Sequence, residues 1–337
     1  SIMLIVAPGC CGRNTSLISS MKEYNDRFYY LMMDETDIVT GRHLKKIPKA
    51  VEEICSVCPK KPSVVMICIT CVDALLGTDM ERVCKKAEEQ VEIPVRPCYM
   101  YALTREGRKP PMVHVRQSLY SLLEPGKKKG NVVNLLGFFS PLVDDCEIYD
   151  LLHSAGVKTI HEISRCKDYM EYQTMSEANF NLVLHHEARF AAEDFHNRLQ
   201  IPFIELRRLY QIDKIENQYH ALGNALGVAF YDEKYKKQAE DALEKFRQRC
   251  PDASFAIGEC LNADPFELSL ALIRYGFSNM EPTMIYYDPA KSDVNLAIGK
   301  DACYYHPDCP YVMWNGEEQP YGYAGVRRLF EQLLEVV

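Results

Sequence analysis

Residues 64–69 read VVMICI, an unbroken apolar run. It lacks the alternation of apolar and polar residues that a strand with one solvent-exposed face shows. A run of this kind is typical of a strand buried on both faces of a parallel sheet. Similar apolar runs lie at residues 2–6, 131–137, 157–163, 181–184, 203–206, 255–258, 284–287 and 294–298. The sequence therefore predicts a fold built around parallel strands.

Helical periodicity fills the segments between these strands. In residues 42–58 the apolar positions form one stripe at helical spacing, and residues 79–91 and 325–337 carry similar stripes. Strands that alternate with helices indicate an α/β fold with parallel sheets. We expect three Rossmann-like, doubly wound parallel-sheet domains.

Two composition changes suggest where these domains meet. Residues 124–130 read EPGKKKG, a polar linker ahead of a new strand, and the charged, helical stretch at 232–251 precedes another strand that restarts near Ser254. The length of 337 residues fits two or three domains at roughly 150 residues each. The predicted domains are residues 1–126, 127–230 and 231–337.

Composition excludes several classes of partner and compartment. The net charge is −8 and no basic run is longer than the three lysines at 127–129, so nucleic acid is not an expected partner. No apolar stretch approaches the ~18 residues of a membrane span, so we expect no membrane insertion. With no recognisable export signal, the 14 cysteines are expected to be mostly reduced, in a cytoplasm.

Three of these cysteines follow predicted strands. Cys10 and Cys11 lie in PGCCG, directly after the first strand, and Cys71 follows the strand at 64–70. Open parallel sheets bind ligands outside the carboxyl ends of their strands, so these loops lie close together if the two strands are neighbours. Thiolates gathered there, facing backbone N–H groups, suit an iron–sulfur cluster.

Zinc is the competing interpretation of the cysteine spacing. Cys55-x-x-Cys58 and Cys68-x-x-Cys71 both resemble zinc half-sites. However, Cys55 and Cys58 fall on the apolar stripe of their helix and Cys68 falls in mid-strand, which favours packing in the core. Cys84 lies on a helix's apolar face and is also expected in the core. The loop in which Cys303 and Cys309 flank His306 is a weaker metal candidate.

His185 and His186 end the predicted strand at 181–184, again at a carboxyl edge. His185 is a candidate catalytic residue, as a ligand or proton donor, or it lines a crevice without chemistry. Its position alone does not separate these two readings. The sequence has no GxGxxG, GxxxxGK[ST] or GxSxG motif, so it shows no nucleotide cradle and no serine nucleophile elbow.

Several segments, in order along the chain, carry a resemblance to a known family. They are APGCCG at 7–12, MDETDIVTG at 33–41, ITCVDALLGTDM at 69–80 and PYGYAG at 320–325. The chain resembles the subunits of nitrogenase component 1 and their relatives. The resemblance implies three Rossmann-like domains per chain and a dimer, either of identical chains or with a homologous subunit. It also implies an iron–sulfur cluster at the subunit interface and an ATP-dependent, P-loop iron-protein reductase that donates electrons.

Carried over by position, the resemblance makes Cys71 and Cys11 the metal ligands and Cys10 the alternative to Cys11. Two thiolates per chain are too few for an all-cysteine [4Fe–4S] cluster, which takes four. A two-fold dimer supplies four, two from each chain. We therefore expect a [4Fe–4S] cluster shared by two chains.

The chain also departs from nitrogenase. His185 stands where the resemblance leads us to expect the cysteine that holds the catalytic metal cluster, and residues 312–314 (VMW) replace an expected histidine. We therefore expect a nitrogenase-like redox component that reduces a bound substrate other than dinitrogen, closer in length to the minimal tetrapyrrole-reducing relatives. The alternative is a metallocofactor assembly scaffold or carrier. A binding protein that shares only the architecture is a third hypothesis.

Overall fold

The structure is a computed structural model that describes residues 1–21, 23–99, 109–277, 280–282 and 294–337. Its strands are β1 (Ile2–Ala7), β2 (Phe28–Met32), β3 (Val65–Ile69), β4 (Val95–Tyr99), β5 (Val132–Leu136), β6 (Thr159–His161), β7 (Phe180–Val183), β8 (Phe203–Glu205), β9 (Phe255–Ile257), β10 (Met280–Pro282), β11 (Leu296–Ile298) and β12 (Tyr311–Val312). The strand predicted at 284–287 lies outside the described residues.

Helices connect these strands. They are α1 (Gly9–Met21), α2 (Glu35–Thr40), α3 (His43–Val57), α4 (Cys71–Leu76), α5 (Met80–Val91), α6 (Pro111–Tyr120), α7 (Glu147–Ser154), α8 (Tyr169–Gln173), α9 (Arg189–Leu199), α10 (Ile212–Leu226), α11 (Glu233–Arg249), α12 (Pro265–Arg274), α13 (Lys300–Tyr305) and α14 (Gly322–Val336). Across the described ranges, no helix is both long and apolar enough to cross a membrane.

The first sheet has the strand order β2-β1-β3-β4, with all pairs parallel. Its core takes apolar side chains from the predicted stripes of α3 and α5, which pack on the strands. β1 and β3 lie at the centre, and Val6 pairs with Ile69 at their carboxyl ends. The chain leaves β1 toward β2 on one side and β3 toward β4 on the other, so a crevice opens between these two ends.

The second and third sheets repeat this order. They run β6-β5-β7-β8 and β10-β9-β11-β12, again with parallel pairs only. We call the place where the carboxyl ends of the two central strands meet the central edge of a sheet. It lies between β1 and β3 in the first sheet, between β5 and β7 in the second, and between β9 and β11 in the third. Each sheet has one such point, where neighbouring connections diverge and a ligand can enter.

The chain divides into two compact units. The first comprises residues 1–126, 167–176 and 187–200, and the second comprises residues 127–166, 177–186 and 201–337. The first sheet belongs to the first unit, and the other two sheets belong to the second. Each sheet takes its strands from one of the three segments proposed above, whose boundaries stay a prediction.

The α/β class with parallel sheets is confirmed, but the strands β2, β4, β10 and β12 were not predicted, and neither were several helices, α1 among them. β2 is a half-buried edge strand whose apolar run, FYYLM, the sequence analysis missed, and β12 is an edge strand of only two residues. β4 contains Arg96 and Pro97. α1 buries only Gly12 and Ser19 and so has no apolar stripe that faces the core.

Candidate functional site

Two of the candidate cysteines lie in the first turn of α1. β1 ends at Ala7, and after Pro8 the helix begins at Gly9, with the N–H groups of Cys11 and Gly12 donating to the Pro8 carbonyl oxygen. Gly12 is buried against β2, where an added Cβ would lie 3.4 Å from the Met32 sulfur. This close packing turns Cys10 and Cys11 outward, and both are exposed.

The third candidate, Cys71, opens α4 immediately after β3. Thr70 precedes it in an extended conformation, and Cys71 is half-buried. Because β1 and β3 are paired in parallel, the loops with Cys10, Cys11 and Cys71 leave the same edge of the first sheet side by side. The expected neighbourhood of these two loops is therefore present.

The thiols are close enough to affect one another electrostatically. The sulfur atoms of Cys10 and Cys11 are 3.9 Å apart. The pKa of Cys11 is raised, first by desolvation, then by the hydrogen bond and charge of Cys10, and then by the charge of Cys71. Three thiols that repel one another as anions are stabilised when a metal cation replaces their protons.

A metal site is not complete at this edge within one chain. Among the described residues, no group of three or more His, Cys, Asp or Glu side chains is arranged to hold a metal ion by itself. The role of Cys10, Cys11 and Cys71 as ligands therefore stays a prediction.

A buried polar pair, His43 and Asp73, links α3 to α4, the helix that begins at Cys71. His43 Nε2 lies 2.9 Å from Asp73 Oδ1, and both side chains are inaccessible to solvent. His43 Nδ1 lies 3.0 Å from the carbonyl oxygen of Asp37, which can only accept, so Nδ1 carries a hydrogen. Asp73 is two residues after Cys71 in the short helix α4. The sequence analysis missed this pair, although His43 shares the helical stripe of Ile47, Val51 and Ile54.

Asp37 itself anchors the start of α3. Its carboxylate accepts from Lys46 Nζ at 2.7 Å and Arg42 Nε at 2.9 Å. The hydrogen bond from Lys46, followed by that from Arg42, lowers the pKa of Asp37 to about 2. The helix that carries His43 is therefore fixed by an ionised carboxylate.

The other cysteines of the first unit pack mainly in the core. Burial raises the pKa of Cys68 and of Cys84 to about 12, and that of Cys98 to about 11. Cys55 and Cys58 are half-buried against the same core, and Cys58 Sγ lies 3.2 Å from the Tyr29 hydroxyl. Cys68 lies inside β3 and its thiol is largely desolvated, so packing rather than zinc binding accounts for Cys68 in Cys68-x-x-Cys71.

The loop with Cys303 and Cys309 does not form a metal site among the described residues. Cys303 is buried on α13, and the Cys309 thiol donates to the Val294 carbonyl oxygen at 3.3 Å. Packing accounts for both thiols.

His185 lies at the central edge of the second sheet, directly after β7. Its ring contacts Phe138 edge-on, with centroids 5.6 Å apart, and stacks on His186 at 4.4 Å. It belongs to the second compact unit, whereas the three candidate cysteines belong to the first. Its catalytic role stays a prediction.

The central edge of the third sheet is closed by the protein itself. Asp301, in the first turn of α13, accepts from the backbone N–H of Glu259 at 2.6 Å and of Cys260 at 3.1 Å. A Cβ on Gly258 would lie 1.9 Å from Asp301 Oδ1, so only glycine leaves room for the carboxylate. The sequence analysis did not identify this role of Asp301. The sequence feature that could have indicated it is the glycine directly after each central strand, Gly258 after β9 and Gly299 after β11.

Comparison with known proteins identifies the family. The family model described as "Nitrogenase component 1 type Oxidoreductase" matches residues 1–318. Among curated relatives, the chain is 25% identical over 232 residues to the nitrogenase iron-molybdenum cofactor biosynthesis protein NifE of Clostridium pasteurianum, covering 68% of this chain and 49% of the relative. It is 27% identical over 175 residues to NifE of Rhizobium meliloti (strain 1021), covering 51% of this chain and 36% of that protein.

The matches thus span half or less of these relatives' own length. Among solved structures, the fold is similar to that of "Nitrogenase Cp1 at pH 6.5", with a TM-score of 0.75, 17% identity and coverage of 99% of this chain and 88% of that chain. At that identity the likeness concerns the fold alone. With a family match that covers nearly the whole sequence, the chain belongs to the nitrogenase component 1 type oxidoreductase family.

Proposed function

We propose that this chain is a metallocofactor scaffold subunit that holds an iron–sulfur cluster through Cys11 and Cys71, with Cys10 as the alternative to Cys11. The observation that carries this proposal is the convergence of these thiols at the central edge of the first sheet. The relatives named above are cofactor biosynthesis proteins, which favours the scaffold over the reductase.

The residues present fit such a group. Thiolates are the ligands of iron–sulfur clusters, and the positive end of the α1 dipole, at Cys10 and Cys11, favours anions. The Thr70 hydroxyl next to Cys71 is buried, and the described residues offer it no hydrogen-bond partner, so it is a donor available to a sulfur anion. When bound, the cluster supplies one-electron redox chemistry or an iron–sulfur unit for a larger cofactor.

The ligand set is completed by a second chain of the same fold, its own copy or a homologous subunit. A [4Fe–4S] cluster takes four thiolates, and a two-fold pair of chains supplies two from each. Such a pairing is consistent with the lack of a group of three or more ligands among the described residues of one chain.

The exposed face of α1 supports this pairing. Leu17, Ile18 and Met21 are 62%, 62% and 76% exposed, whereas the buried positions of α1 hold only Gly12 and Ser19. At 100° per residue, Leu17 and Met21 lie on the same side of the helix as Cys10, opposite Gly12. An apolar row that begins at the thiols and points to solvent is typical of a surface that another chain covers.

A reductase is the second candidate, in which an ATP-dependent P-loop iron protein donates electrons and a substrate other than dinitrogen is reduced. The observation that favours it is His185, whose imidazole lies at the central edge of the second sheet, where it can donate a proton. In this reading the same cluster cysteines serve electron transfer.

Anaerobic reconstitution with iron and sulfide distinguishes the two candidates. The scaffold predicts a brown protein that passes iron to a cofactor-free acceptor protein of the same family. The reductase predicts that the iron is retained while an iron protein with ATP drives repeated electron uptake. A colourless protein with stoichiometric zinc contradicts both.

A further inference from the structure

Arg208 lies at the central edge of the second sheet, in the segment after β8. Its guanidinium carbon is 4.3 Å from the centroid of the Phe138 ring, which follows β5. Its Nη2 donates to Gln319 Oε1 at 2.7 Å. Phe138 also contacts His185, so the arginine, the aromatic ring and the imidazole occupy one place at the end of the central strands.

The charge of Arg208 is not compensated. In the part of the chain that the structure describes, no carboxylate pairs with it, and its Nε is shielded from solvent without a hydrogen-bond partner. Desolvation lowers its pKa, and only Tyr210 and Tyr321 oppose that effect. A partly desolvated cation without a counter-anion favours the arrival of an anion.

Two other arginines that are buried or partly buried form ion pairs with carboxylates. Arg116, which is also buried, forms an ion pair with Glu187 at 2.8 Å, and Arg328 pairs with Asp145 at 2.7 Å. Arg208 differs from these two arginines because its side-chain acceptor is the neutral amide of Gln319.

We propose that Arg208 is the recognition residue of an oxyanion site at the central edge of the second sheet. The ligand is a molecule that carries a carboxylate or phosphate group, which the guanidinium receives in its plane while Phe138 supports its face. Arg208 keeps partial exposure, so the ligand reaches it from solvent. This site goes beyond the proposed cluster site, because its residues all belong to the second compact unit.

Isothermal titration of the full chain, before and after cluster reconstitution, tests this proposal. The probes are inorganic phosphate and citrate at constant ionic strength, with chloride as the reference anion. The wild type is expected to bind one of the two at a single site. Phosphate binding assigns a phosphate-bearing ligand, and citrate binding assigns a carboxylate-bearing one.

Arg208→Gln is the test variant, and Arg207→Gln is its control because Arg207 is adjacent and exposed. Arg208→Gln is expected to weaken binding by at least about tenfold, since it removes a charged donor, while Arg207→Gln leaves binding unchanged. Arg208→Lys, which keeps the charge but loses the planar fork, is expected to bind with intermediate affinity.

Equal affinities in wild type and Arg208→Gln, or no binding of either probe by the wild type, overturn the proposal. Circular dichroism verifies that both variants fold. Iron content is expected to be the same in all of them, so a failure here and a failure of the cluster proposal give different results.

Discussion

The first and third sheets share one strand order, yet their central edges differ in content. At the first edge, the loops after β1 and β3 present Cys10, Cys11 and Cys71, with the first two exposed. At the third edge, Asp301 already occupies the backbone N–H groups of Glu259 and Cys260. The same topology thus provides two edges that favour an anion. At the third edge, the carboxylate of Asp301 already takes that place.

This difference teaches that the fold supplies the place and the side chains decide its use. Parallel strands and helix N-termini favour an anion at each edge. An internal carboxylate satisfies that preference permanently, whereas in our proposal a group of thiols that repel one another satisfies it only when a metal binds. The predictions that follow break or sharpen this contrast, from the largest expected effect to the smallest.

Cys71→Ala is expected to abolish cluster binding, because it removes a thiolate that no other side chain replaces. Iron content and the visible spectrum after anaerobic reconstitution measure this loss. Cys84→Ala is the control: Cys84 is buried in the same unit, so its loss should lower stability by about 1 kcal/mol and leave the iron in place. Full iron in Cys71→Ala would refute its role as a ligand.

His43→Ala is expected to destabilise the protein by about 3 kcal/mol, because Asp73 then becomes a buried carboxylate without its partner. Since Asp73 lies in the helix that Cys71 opens, cluster retention should fall as well. Urea unfolding measures the stability. The control is His196→Ala, at an exposed position of α9 in the same unit, with an expected change below about 0.5 kcal/mol. Equal changes in both variants count against the supporting role of His43.

Asp301→Ala opens the third edge and is expected to lower stability by about 1–2 kcal/mol, because two backbone N–H groups lose their acceptor. Iron content should not change, since the thiols belong to the other compact unit. Asp308→Ala, at an exposed position in the loop after α13, provides the matched control for the unfolding measurement. A loss of iron in Asp301→Ala as large as in Cys71→Ala would contradict the claim that only the first of these two edges takes part in cluster binding.

The smallest effect is the pH dependence from Asp37. Its pKa is lowered from 3.8 to about 2, so its ionised form stabilises the fold above pH 4, and this contribution disappears as the pH falls toward 2. The difference in unfolding free energy between wild type and Asp37→Asn should therefore shrink over that range. Taking the difference between the two proteins removes the contributions that they share. A difference that stays constant from pH 4 to 2 argues against the ion pairs with Lys46 and Arg42.

Much of the fold could be predicted because parallel strands that are buried on both faces appear in the sequence as unbroken apolar runs. The expected strand at 64–69 is β3 at Val65–Ile69, and the expected helix at 42–58 is α3 at His43–Val57. α1 escaped prediction because its apolar residues face solvent and its buried ones are Gly12 and Ser19. The feature that hid the helix from a search for core stripes is the one that supports an interface.

The candidate site was predictable only in part. The position of Cys11 and Cys71 after strands indicated their edge, because strand order follows from a few topological rules. The pairing of His43 with Asp73, the closure by Asp301 and the uncompensated charge of Arg208 depend on contacts between distant segments. Neither periodicity nor spacing carries that information.

The most direct test of the account is the iron content of each species when anaerobically reconstituted protein is separated by size with light-scattering detection. A cluster shared between two chains predicts that iron elutes with a two-chain species, at about four iron atoms per pair. The two chains are either identical or one is a homologous subunit supplied in the mixture. A full cluster on a single chain would contradict the claim that two chains share it.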